Sequence, residues 1–161
     1  MRQSAEWLQA RIDEVLAPMD VRRRATIIAL VERDDRSSEV SAEARLASYL
    51  ESRSLDWRAA DRMPRASRTV ALAACELLLR VDPMFDQDRP SSKQLVGAAS
   101  LWVSSFVTRA VYWTSFSQSR MSSKPSDLLI GAIAIHHKDI ELGIYAVADG
   151  LVGMFVVAED S

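Results

Sequence analysis

His136 and His137 are the only histidines in the 161-residue chain, and Asp139 and Glu141 follow them closely. On a helix, His137 and Glu141 lie four residues apart and His136 and Asp139 three apart, so each pair shares a face. Imidazole and carboxylate at that spacing could supply two ligands to a metal such as zinc, which takes three or four in all. The same groups could act as a general acid and base. Cys75 is the lone cysteine, and it sits in the apolar run LAACELLLR, where a free thiol packs as a small hydrophobe. One cysteine also makes no internal disulfide. Arg22, Arg23 and Arg24 are consecutive and point in different directions on a helix, so they form no basic stripe. There is no glycine-rich phosphate loop, no paired-cysteine spacing and no GxSxG elbow.

Two further groups invite a functional reading. Tyr112 and Trp113 lie partly off the apolar face near the end of a helix expected from Pro90, and Phe116 follows them closely. Clustered aromatics of this kind either fill a core or anchor a protein partner. The polar knot DQDRPSSKQL, from Asp86 to Leu95, follows Pro83. Its residue types suit a corner between two core helices. Pro83 stops the first helix, Asp86 and Asp88 favour the positive N-terminus of the second, and Pro90 fits that helix's first turn. Arg89 would tie the corner to Asp86 or Glu76.

The elements that must position these groups read as helices. Trp7, Leu8, Ile12, Val15 and Leu16 form a stripe opened by Ser4 and closed near Pro18. Asp20 would cap a second helix carrying Ile27, Ile28, Leu30 and Val31. Residues 34–41 are polar and read as a loop, after which Ser41 opens a helix with Leu46, Tyr49 and Leu50 inward. Trp57 is expected to anchor the next stretch to the core. Residues 66–81 predict a central helix, and Leu95, Ala98, Ala99, Trp102, Val103, Phe106 and Val107 the clearest amphipathic one. Residues 115–126 are a serine-rich loop, with helices predicted from Leu128 and over 143–158. Residues 154–157 are also compatible with a terminal strand, for which no partner strand is evident. Gly143, Gly150 and Gly153 would allow close helix packing, within the chain or in a homo-oligomer.

The fold class expected is therefore all-α: one domain over 1–161, a bundle of six to eight helices, with 65–161 the clearer helical region and 1–64 the weaker. Hydrophobic residues make up 48% and charged residues 26%, ordinary values for a globular domain. The net charge of -2 gives no basic footprint for nucleic acid. The apolar run 143–158 is shorter than the ~20 residues of a membrane span and contains Asp149, so no membrane association is expected. The N-terminus lacks the apolar stretch of a signal peptide, which makes the cytoplasm the expected location.

The segment SRTVALAACELLLRVDPMFDQDRPSSKQLVGAASLW, from Ser67 to Trp102, resembles immunity proteins of bacterial polymorphic toxin systems. The matching positions are Leu72, Cys75, Glu76, Pro83, Phe85, Asp88, Arg89, Pro90, Ala98, Ala99 and Trp102. The resemblance implies a non-catalytic cytoplasmic protein, free of cofactors, that binds and neutralises a cognate toxin. A helical metal-binding protein or enzyme built on His136 and His137 stays open, as does a ligand-sensing or scaffold domain.

Overall fold

The computed structural model describes residues 4–20, 26–36, 39–83 and 87–159. The first helix, α1 (Ala5–Asp20), begins where Ser4 Oγ accepts from the Trp7 amide at 3.1 Å, and it continues past Pro18. The chain then forms a strand, β1 (Thr26–Arg33), where the sequence predicted a helix capped by Asp20. Its burial alternates: Ile27, Ala29 and Val31 are buried on one face, while Ile28 and Leu30 are half-buried on the other. Alternation with β-branched residues is the strand period, which the dense apolar content had masked. The basic triplet Arg22 to Arg24 lies outside the described residues.

Helix α2 (Ala42–Ser52) starts at Ser41, whose hydroxyl accepts from Ala44 N, and buries Leu46, Tyr49 and Leu50 as the periodicity predicts. A short 3-10 turn (Trp57–Asp61) and a two-residue strand, β2 (Arg65–Ala66), lead into α3 (Arg68–Arg80), capped by Ser67. Trp57 is 44% exposed, with Arg58 over its ring, so it does not anchor that stretch to the core. A small ribbon, β3 (Val81–Asp82) with β4 (Gln87–Asp88), joins α3 to α4 (Lys93–Ser104).

Helix α4 stops earlier than its apolar spacing suggests. Ser105 Oγ donates to the Leu101 carbonyl, the local bond by which serine competes with helix continuation. Beyond it, Val107 is 68% exposed, although the three-and-four spacing places it inward. The chain turns at Arg109, which has φ 52°, and enters β5 (Val111–Thr114). Two short 3-10 turns follow (Gln118–Arg120 and Pro125–Leu129), and residues 130–139 are irregular instead of helical. Two nine-residue strands complete the chain, β6 (Ile140–Ala148) and β7 (Leu151–Glu159).

The main sheet is antiparallel throughout, with order β1-β7-β6-β5-β2. Helices α1, α3 and α4 cover one face, and α2 with its 3-10 turn covers the other. Leu142, Ile144, Ala146 and Phe155 pack into the three-helix layer; Tyr145, Val147, Met154 and Val156 pack into the α2 layer.

This architecture overturns the all-α bundle expected from sequence. Residues 143–158 are apolar without alternation because β6 and β7 are covered on both faces, a pattern that matches a buried helix until length arbitrates. The polar break, Asp149-Gly150, is the two-residue turn between them, with Gly150 at φ 77°. The partner missing for a terminal strand is supplied on both sides, by β6 and by β1. The glycines serve the sheet too, and are not helix-packing positions: Gly143 lies under the Tyr145 ring, and Gly153 lies against the Leu30 carbonyl and Phe106. Among the described residues, no helix is long and apolar enough to cross a membrane.

Candidate functional site

Glu141 opens β6 and is buried. Its carboxylate accepts from the backbone amides of Ile135 at 2.7 Å, His136 at 2.8 and 3.0 Å, and Lys138 at 3.4 Å. His136, His137 and Asp139 stand on the irregular segment before β6, so the helical ligand spacing is not formed. His137 has φ 57°. Burial holds the His136 imidazole below its ordinary pKa, against the upward pull of Glu141, and its Nε2 is enclosed without a hydrogen-bond partner. Glu141 thus acts as an anchor for a loop. Among the described residues, no group of three or more His, Cys, Asp or Glu is placed to hold a metal ion.

Cys75 is fully buried on α3, and burial, with Glu76 nearby, pushes its thiol well above the usual range. A thiol held protonated is a poor nucleophile. The aromatics weighed as partner anchors are core residues. Tyr112 donates its hydroxyl to the Val103 carbonyl at 2.8 Å, Trp113 donates its indole N–H to Glu43 at 3.0 Å, and Phe116 is buried. A strand alternates its side chains across two covered faces, so Tyr112 and Trp113 are both enclosed and present no surface to a partner.

The corner of Pro83, Asp88, Arg89 and Pro90 lies where the sequence placed it, between two core helices, but it is built differently. Asp86 and the Phe85 of the family resemblance lie outside the described residues. Arg80 Nε donates to Asp88 at 2.6 Å, and the Arg89 amide donates to the Arg80 carbonyl at 3.0 Å. An ion pair from Arg80 to Asp88 therefore helps to close the corner, and among the described residues it is the one formed there. Ser92 caps α4, so Pro90 precedes the helix instead of opening it.

The feature that sequence reasoning missed is the outer edge of β1. Asp34 N donates to the Gly150 carbonyl, so even-numbered residues of this strand direct their backbone groups toward β7 and odd-numbered ones away from it. On that outward side, Val31 N donates to Gln9 Oε1 at 2.8 Å and Gln9 Nε2 donates to the Ala29 carbonyl at 2.8 Å. One side-chain amide thereby meets the donor and acceptor that a neighbouring strand would meet. Gln9 Nε2 also donates to Asp13 Oδ1 at 2.9 Å, which ties the amide to its own helix. Beside it runs a groove of about 470 Å³ lined by Glu6, Gln9, Asp13, Leu30, Val31 and Arg33, among others. No periodicity could have flagged Gln9, because its partners are backbone atoms of a strand twenty residues away.

A second charged cluster sits at the far end of β1. Asp34 is buried and accepts two bonds from Arg45, at 3.0 and 2.8 Å, and two from Arg36, from its amide at 3.1 Å and its guanidinium at 2.9 Å. Arg45 also donates to the Ala148 carbonyl, and Arg109 pairs with Asp149. These bonds tie α2 and the α4–β5 loop to the β6–β7 turn.

No family model, curated protein or solved structure matches the chain.

Proposed function

We propose that this chain is a non-catalytic protein-binding domain that docks its partner along the β1–α1 edge. The observation that carries the reading is the eight-residue edge strand with a groove beside it, whose outward Ala29 and Val31 groups are met by a side-chain amide. Edge strands are recognition sites for other chains unless they are covered, and at about 3.4 Å per residue this one is ~27 Å long. That length suits one partner's share of a standard interface, about 800 Å². The chemically suggestive groups are meanwhile committed to structure, with Cys75 sealed in the core and Glu141 holding a loop. The resemblance of 67–102 to immunity proteins makes a bacterial toxin encoded by an adjacent gene the first partner to try.

The test is co-expression with the product of that gene. A stable co-purifying complex, with growth arrested when the neighbour is expressed alone, is the expected outcome. Normal growth with the neighbour alone, together with no complex, would overturn the immunity reading.

A further inference from the structure

We infer that the β1 edge takes up an extended partner segment by strand addition, that this segment alternates basic and apolar side chains, and that Gln9 holds its place until it arrives. The inference rests on the protein-binding reading and specifies how that binding occurs. Gln9 satisfies only Ala29 O and Val31 N, and it does so from a half-buried position on a helix flank. An incoming strand would replace both bonds and extend them to either side, so the exchange loses no hydrogen bond and gains others.

Charge selects the segment. Glu32 and Arg33 at the rim are already paired, with Arg53 and Asp35 respectively. Among the described residues lining the groove, the remaining charges are the exposed carboxylates of Glu6 and Asp13. Seven residues apart on α1, they are separated by about 10 Å along the helix. Side chains on one face of a docked strand recur about every 6.8 Å, so two long basic side chains reach both. The opposite face of that strand meets Ile28 and Leu30, which are half-buried at the edge, and there apolar side chains fit. A basic group at Asp13 would also compete with Gln9 Nε2 for the same oxygen, which loosens the amide as the segment arrives. A second copy of the chain is the poorer occupant: antiparallel β1–β1 pairing would set two acidic α1 flanks against each other.

The test uses the full chain and a synthetic acetylated octapeptide of alternating Lys and Val, followed by amide NMR. The Lys peptide is expected to shift the amides of residues 27–33 and to slow Val31 exchange, while a Glu-for-Lys peptide does neither. N-methylation at either the Lys or the Val positions should abolish binding, and at the other set should spare it, because only one edge of a strand pairs. The surface variant Glu6→Gln/Asp13→Asn should weaken binding at least tenfold at low salt, and Gln9→Ala should strengthen it several-fold. Shifts confined elsewhere, indifference to N-methylation in both frames, or dimerisation of Gln9→Ala through β1 would overturn the inference. A toxin complex that leaves the β1 amides unprotected would overturn this inference, and with it the choice of the β1–α1 edge, while sparing the reading of the chain as a protein-binding domain. Peptide docking without any complex from the adjacent gene product would do the reverse for the immunity reading.

Discussion

Glu141 is a buried carboxylate committed to local structure: it collects the backbone amides of Ile135, His136 and Lys138 and fixes the entry to β6. A carboxylate that accepts several amide hydrogen bonds is held firmly by its surroundings. The adjacent His136 has a consequence for pH. Its imidazole is held below the ordinary value by burial, with Arg53, Lys138 and His137 acting in the same direction and Glu141 opposing. The unfolded chain takes up that proton near pH 6.5, whereas the folded chain resists until lower pH. Between those two values the unfolded state binds more protons, so stability falls as pH falls through the window. The urea midpoint is therefore expected to drop between about pH 7.5 and about pH 5.5, with the drop reduced in His136→Gln. A midpoint equally pH-dependent in both proteins would sink this account. At this scale the sequence identified the right residues in the right neighbourhood, but it paired them by helical spacing. The true partners of Glu141 are main-chain atoms, which carry no residue identity to read.

Glycines decide how closely the elements approach. A Cβ on Gly153 would lie 2.2 Å from the Leu30 carbonyl oxygen and 2.7 Å from Phe106 Cζ. That crowding is against backbone, so it cannot be relieved by a side-chain rotation. The same carbonyl accepts the Trp102 indole N–H at 3.1 Å, which locks α4 to β1 at this point. Gly153→Ala should therefore cost about 2–3 kcal/mol in denaturant unfolding, the scale of core overpacking. Gly97 on the exposed side of α4 is the control: a Cβ there meets nothing within 4 Å. Gly97→Ala should stabilise by about 0.5–1 kcal/mol through helix propensity alone. Equal effects at the two sites would mean that Gly153 is not a contact position. The starts of α1 and α2 were legible because Ser4 and Ser41 cap them through local bonds, and that of α3 showed in the apolar density after Ala66. The strands were not, since β1 takes its partner β7 from as far as Thr26 to Ala158 along the chain.

At the scale of the molecule, the buried Asp34–Arg45 pair joins the end of β1, the first turns of α2 and the Ala148 carbonyl beside the β6–β7 turn. It sits where the N-terminal part of the chain meets the C-terminal hairpin. Arg45→Ala would leave the buried Asp34 carboxylate with Arg36 as its remaining charged partner and should cost about 3 kcal/mol, measured by chemical denaturation. In a double-mutant cycle with Asp34→Asn, the two losses should be strongly non-additive. Additive losses would show that the pair acts as two independent groups. Sequence alone determined that much of the chain is buried, where three of the helices begin, that Cys75 packs in the core, and that a joint lies between α3 and α4. Each of these rests on local composition or on bonds spanning a few residues. Tertiary structure alone decided that the apolar runs at 26–33 and 140–159 are strands, that Tyr112 and Trp113 are enclosed, and that Gln9 guards the sheet edge. A strand covered on both faces loses the polar–apolar alternation that marks it in sequence, and its hydrogen bonds are made only when distant segments meet.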